Sequence, residues 1–201
     1  MTNTTSLKPL FLALADALNG PIEIEKMGRE AFLKHSNEAI VDPTQSTPLA
    51  EDIQSVLAAP DAHPACRELA IAPLPWAPPI TTDDPAYIEV SKKKALVELI
   101  GPAGIVQNNE IRMGVYGISK HVEYGIRTHP AEEVFVMIAG RVDWLMGDET
   151  YAEYGPGVRR HHLSMVPHAT RTRNSAFMSI YVWTGDVSFE KYDFVGAPAR
   201  H

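Results

Sequence analysis

The segment 124-YGIRTHPAEEVFVMIAG-140 places an arginine, a histidine and two glutamates just ahead of an apolar run that ends at a glycine. A second segment, 161-HHLSMVPHATRT-172, adds three histidines. Imidazole nitrogen and carboxylate oxygen are ordinary ligands for zinc, iron, manganese, nickel and copper. His129 and Glu133 from one strand, with His168 from a later one, make a two-histidine, one-carboxylate set that leaves positions open for water or substrate. The same residue types also suit a simpler arrangement. In that arrangement His129 and Glu133 form a hydrogen-bonded pair at a strand edge and His168 lies on a loop.

Side chains alternate between the faces of a strand. If 127–138 is one continuous extended segment, Arg127, His129, Glu133, Phe135 and Met137 share a face, and Val134, Val136 and Ile138 take the other. Pro130 can disturb the pattern at its start. His162 and His168 also share parity. Arg127 has three readings at this stage: a fork to a substrate carboxylate, an ion pair with Glu132 or Glu133, or a side chain turned to solvent. Beside a metal its charge weakens cation binding unless a carboxylate offsets it.

These residues need a frame. Leu7, Leu10, Phe11, Leu14 and Leu18 follow helical spacing, with Ser6 to cap, Pro9 in the first turn and Asn19-Gly20 to end the helix. Further helices are expected over 23–35, 47–58 and 64–69. The proline-rich stretch 72-APLPWAPPITTDDP-85 allows neither a long helix nor a central strand. It reads as a connector that packs Trp76 against the body. From Ala86 on the signals are β: YIEV, ALVELI, IRMGVYGI, EVFVMIAG, RVDWLMG, HHLSMVPH and FMSIYVW. Short strands separated by Gly, Pro and Asp predict a sandwich or small barrel. The organisation is one structural domain, with a helical extension and connector over 1–85 and a β-barrel over 86–201.

The pattern Tyr124…His129-Pro130-Ala131-Glu132-Glu133-Val134-Phe135…Gly140 resembles the first cupin motif. The second is matched by 155-GPG-157, His162 and 167-PH-168. With Glu98-Leu99-Ile100-Gly101-Pro102 and 183-WTGD-186, the chain resembles the cupin-type dimethylsulfoniopropionate lyases of marine bacteria. The fold this implies is mostly β, a cupin (a double-stranded β-helix or jelly-roll barrel), with an N-terminal α-helical extension. The resemblance implies one divalent transition metal (Zn, Fe, Mn or Ni) held by His129, Glu133 and His168. It also implies a β-elimination that splits dimethylsulfoniopropionate into acrylate and dimethyl sulfide. A metal on the substrate carboxylate stabilises the enediolate-like species, and a tyrosine near a metal can act as base. Trp144, Tyr181 and Trp183 offer aromatic faces for the sulfonium.

Two positions depart from the family pattern. Arg127 replaces the first motif histidine, and Phe135 replaces a tyrosine implicated as ligand and base. Arginine stays protonated, and phenylalanine neither binds metal nor takes a proton. Tyr124 then leads as catalytic base, with Tyr116, His121 and His162 behind it. Arg127, Phe135, Tyr181, Trp183 and His162 are the expected substrate contacts. The competing functions are a cupin dioxygenase or isomerase acting on a small carboxylate, and a non-catalytic cupin that binds a small ligand.

Composition narrows the partners. Net charge is −7 with no basic stripe, which argues against nucleic acid. No run is long and apolar enough for a bilayer span, and the N-terminus has no basic start or cleavage site of a signal peptide. Cys66 is the single cysteine, so an intrachain disulfide is excluded and a cytoplasmic setting is expected. A small carboxylate is the expected substrate, and a homodimer through exposed strands is compatible with the cupin resemblance.

Overall fold

The computed structural model describes residues 4–196. Four helices lead: α1 (Lys8–Ala17), α2 (Glu23–His35), α3 (Glu51–Leu57) and α4 (Ala65–Ile71). A two-stranded ribbon of β1 (Thr5–Ser6) and β2 (Ile40–Val41) ties the start of α1 to the end of α2. In α2 Glu23 and Glu25 fall in the first turn and Lys34 and His35 in the last, which suits the helix dipole. The helix expected over 47–58 is shorter, starting at Glu51, because the segment before it is extended and Pro43–Gln45 forms a separate 3-10 turn. α5 (Pro85–Ser91) follows the proline-rich connector.

The stretch YIEV is therefore helical, and the expectation of a strand there was wrong. Asp84 accepts a hydrogen bond from the Tyr87 backbone and Pro85 opens the helix. That local start signal outweighs the β-branched residues that follow. The barrel strands begin only at Lys94.

The remaining strands are β3 (Lys94–Gly101), β4 (Val106–Gln107), β5 (Ile111–Ile118), β6 (Glu123–Thr128), β7 (Glu132–Gly140), β8 (Val142–Met146), β9 (Ala152–Tyr154), β10 (Arg159–His162), β11 (His168–Arg171), β12 (Phe177–Thr184) and β13 (Asp193–Gly196). They form two sheets, ordered β10-β7-β12-β5-β3-β4 and β13-β6-β11-β8-β9. All pairings are antiparallel except β3 with β4. Two corrections follow. Residues 127–138 are not one extended segment: the chain leaves the second sheet at Thr128 and enters the first at Glu132, turning through Pro130. The run HHLSMVPH likewise ends β10 and starts β11, with a loop at 163–167 that contains Met165 at positive φ.

The first sheet is covered on both faces. Val134, Val136, Ile138, Ile180 and Val182 join the helices in an aliphatic core. Phe135, Met137, Tyr181 and Trp183 from the same strands join Tyr116, Tyr124, Trp144 and Phe177 inside the barrel. Trp76 packs partly buried against the aliphatic core, as expected for the connector. Cys66 is buried there too, and burial pushes its thiol up to about 12, so it is a packed thiol without nucleophilic character at neutral pH. The ion pair from Arg159 to the fully buried Glu25, 3.0 Å, anchors α2 to β10, the strand that carries His162.

Candidate functional site

The expected metal ligands meet inside the barrel. His129 sits in the link between the sheets, Glu133 is the second residue of β7, and His168 opens β11. One ligand atom from each lies within 4.8 Å of the others, and all three residues are buried. The turn at Pro130 makes this possible. It brings β6 and β7 into different sheets while both still face the same interior, so Arg127 and Glu133 share the barrel lumen without sharing a strand.

The hydrogen bonds fix the imidazoles. His129 Nδ1 lies 3.0 Å from the Ala131 carbonyl, and His168 Nδ1 lies 2.9 Å from the Val166 carbonyl. A carbonyl only accepts, so both Nδ1 atoms carry the proton and donate it. Each ring then turns its Nε2 toward Glu133 Oε2, at 3.2 Å for His129 and 3.7 Å for His168. Burial, reinforced by Arg127, pushes the His168 imidazolium well below its ordinary range. Its Nε2 is a bare lone pair with no hydrogen-bond partner. Burial alone would raise the Glu133 carboxyl, but its close contacts with the His129 and His162 rings outweigh it and bring the group down to about 2. A bare imidazole nitrogen facing an ionised carboxylate in a buried site lacks a positive partner between them. The donor set fits a divalent transition metal for that reason. Fixing each ligand ring by a carbonyl on its other nitrogen is the usual outer layer of such sites.

His162 does not line the cavity, which corrects its expected substrate contact. Its Nε2 accepts from the Trp144 indole at 3.0 Å, so its Nδ1 donates to Glu133 Oε2 at 3.2 Å. Trp144, fully buried, supports this chain from behind. The Trp183 indole donates to the other carboxylate oxygen, Oε1. Glu133 is thus held on both sides, and Trp183 also stacks on His129 at 4.1 Å.

In front of the ligands lies a cavity of about 460 Å³. Tyr124, Arg127, Phe135, Tyr181 and Trp183 line it as expected. Arg127 is 3 % exposed, with its guanidinium 4.0 Å from the Tyr124 ring and one nitrogen 3.4 Å from the His168 carbonyl. Neither expected ion pair forms, since Glu132 pairs with His161 at 2.6 Å and Glu133 faces the histidines. Among the described residues Arg127 has no carboxylate partner, and it points into the cavity, not to solvent. Phe135 leaves this end of the cavity without a phenol on β7.

Several residues in or beside the cavity had no role assigned from sequence. Tyr192 faces Tyr124 hydroxyl to hydroxyl. Burial, with Tyr192 next, pushes the Tyr124 phenol well above its ordinary range. Lys94 Nζ lies 3.0 Å from the Tyr124 ring centre, and burial and Arg127 push its ammonium well below its usual range. Tyr116, a base candidate behind Tyr124 in sequence, lines the cavity with an unpartnered hydroxyl. His121 lies outside the cavity, in a bend at positive φ. Arg112 and Phe189 come from elements whose only sequence signal was a strand or a loop, and Glu98 had been read only as part of the family pattern.

A family model for dimethylsulfoniopropionate lyase matches residues 26–179. Dimethylsulfoniopropionate lyase DddQ of Ruegeria pomeroyi is 35% identical over 89 residues, which span 44% of this chain and 44% of that protein. The aligned stretch is thus less than half the length of that relative. The crystal structure of DMSP lyase DddQ from Ruegeria pomeroyi superposes with a TM-score of 0.60 at 24% identity, covering 77% of this chain and 82% of that one. A structure described under DMSP lyases RdDddP and RnDddQII gives a TM-score of 0.65 at 20% identity, covering 95% and 98%. These superpositions establish the cupin-like barrel with its helical extension as a shared fold.

Proposed function

The chain belongs to the dimethylsulfoniopropionate lyase family, and from that premise we propose that it is a metal-dependent carbon–sulfur lyase. It cleaves dimethylsulfoniopropionate, or a close relative, to acrylate and dimethyl sulfide. The observation that carries the metal dependence is the unpartnered His168 Nε2 aimed at the ionised Glu133. His129, Glu133 and His168 would hold one Zn, Fe, Mn or Ni ion. Bound there, the ion supplies Lewis-acid stabilisation of negative charge on the substrate acid group.

The rest of the chemistry belongs to the side chains. Arg127 binds the substrate carboxylate through its planar fork, and the carboxylate supplies the counter-charge that this buried guanidinium lacks. Tyr181 and Trp183 present aromatic faces to the sulfonium. Tyr124, as phenolate, takes the proton from the carbon next to the carboxylate. The carbon–sulfur bond then breaks, and the electron pair leaves with dimethyl sulfide. Burial and Tyr192 oppose that phenolate, whereas the Arg127 guanidinium against the ring favours it. His162 and Trp183 keep Glu133 oriented and anionic. The single cysteine supports a cytoplasmic setting. Among the described residues no helix is long and apolar enough to cross a membrane.

Headspace detection of dimethyl sulfide from purified protein plus dimethylsulfoniopropionate tests the reading, with a verified lyase run alongside. Stoichiometric acrylate with the sulfide is the expected result. A protein carrying one metal per chain that yields neither product overturns the lyase assignment.

A further inference from the structure

Tyr116 stands on β5, an inner strand of the first sheet, paired with Ser179 of β12 on one side and Leu96 of β3 on the other. The Ser179 hydroxyl donates to the Tyr116 carbonyl at 3.1 Å, so a side chain as well as the ladder fixes that backbone. The ring is held by aromatic neighbours. Its centre lies 5.9 Å from that of Phe135 and 6.0 Å from that of Phe177. Only the tip of the side chain is uncommitted. The hydroxyl is buried and has no hydrogen-bond partner among the described residues, yet the residue lines the cavity.

An orphaned hydroxyl in a packed interior is costly, and a bound acceptor is the simplest way to satisfy it. Burial pushes the Tyr116 phenol well above its ordinary range, and of the neighbours that act on it only Arg127 pulls the other way. The hydroxyl therefore keeps its proton and is free to donate. Arg127 faces the same cavity from the second sheet, so the two side chains enter the lumen from opposite walls. Arg127 spends one nitrogen on the His168 carbonyl at 3.4 Å. The Tyr124 and Tyr192 hydroxyls are already turned to each other. A carboxylate offers about four lone-pair positions. The planar fork of a guanidinium fills two, one on each oxygen. An acid group that leaves water here needs further donors, and Tyr116 brings one from the facing wall.

We propose that Tyr116 is a substrate-binding residue whose hydroxyl donates to the acid group received by Arg127, so that the carboxylate bridges the two sheets. The proposal rests on the reading that Arg127 holds the acid group. It gives Tyr116 a role as neutral donor, distinct from that of Tyr124 as base.

Titration calorimetry of the purified full chain with acrylate and with propionate, beside thermal unfolding of the same samples, tests it. Tyr116→Phe keeps the ring and removes the hydroxyl. Affinity for both acids should fall about tenfold, the loss expected for one hydrogen bond to a charged group. The ligand-free variant should melt at the wild-type temperature or about 2–4 °C above it, because the orphan is gone. Arg127→Met should weaken both acids as well. If Arg127→Met weakens them and Tyr116→Phe does not, the Tyr116 assignment is wrong, although the Arg127 reading stands. If Arg127→Met changes neither affinity, the acid-group reading fails and the proposal fails with it. Ligand-free Tyr116→Phe melting several degrees below wild type would show that the hydroxyl serves the fold, which overturns the proposal whatever the affinity.

Discussion

On β7, Val134, Val136 and Ile138 face the helices, while Glu133, Phe135 and Met137 face the barrel interior. The same backbone thus borders two cores of opposite character. The outer one is aliphatic and closed, filled by leucine, isoleucine and valine against α1 to α4. The inner one is aromatic and polar, and buried atoms of His168, Tyr116, Tyr87 and Lys94 have no hydrogen-bond partner there. Each such orphan costs about 1–3 kcal/mol. Stability therefore comes chiefly from the outer core. The inner one gives up stability to keep polar groups ready for a ligand.

The sharpest test of that division is metal content. His168→Ala removes a ligand nitrogen, and elemental analysis of protein purified without a histidine tag should fall from about one transition metal per chain to none. Retained metal would break the comparison at its centre. A cavity in the outer core should behave in the opposite way. Ile180→Ala is expected to lower unfolding free energy by about 2–5 kcal/mol in urea titration while the folded protein keeps its metal. Loss of metal there would mean that the two cores are not separable.

A smaller effect is expected from Phe135→Tyr, which puts a phenol back on the cavity face of β7. Dimethyl sulfide production should rise about tenfold, equivalent to about 1.4 kcal/mol. An unchanged rate in folded, metal-loaded variant protein would show that the absent phenol is not limiting. The smallest effect is in pH. Burial lowers the His162 and His168 imidazoliums in the folded, metal-free protein, so the unfolded chain binds more protons below the ordinary histidine range. Their stabilisation is present above about pH 6.5 and is lost as pH falls below it. Each contributes a slope of up to about 1.4 kcal/mol per pH unit in chelator-treated protein. His168→Gln should remove one such slope, whereas Ile180→Ala should leave both.

Much of this was legible in the chain. His129, Glu133 and His168 carry metal-ligand chemistry in their residue types, and alternation from Glu133 onward put Phe135 and Met137 on one face and the valines on the other. Helix α1 followed from apolar spacing, although Leu7 and Leu18, not Ser6 and Asn19-Gly20, stand at its ends, and α2 and α4 formed close to where helices were expected. These are local properties, set by side-chain chemistry and backbone period. YIEV failed for a local reason as well, because the Asp84-Pro85 start signal was weighed below the β-branched residues.

Other features had no local signal. Nothing near Arg127 in sequence reveals that the chain changes sheets at Pro130, so its lack of a carboxylate partner depends on where Glu132 and Glu133 find histidines. His162 shares parity with His168, yet Trp144 and Glu133 draw it behind the site. Tyr192 and Lys94 meet Tyr124 from segments far apart in the chain. The cavity wall depends on β7, β12, β5 and β3 lying side by side, an order set by pairing between distant strands. The sequence by itself determined which chemistry each side chain can perform and which face of its own strand it takes. Tertiary structure alone decided which of those groups meet, because the contacts that leave Arg127 without a carboxylate and His168 Nε2 without a hydrogen-bond partner, among the described residues, are made by residues brought together only when the two sheets close.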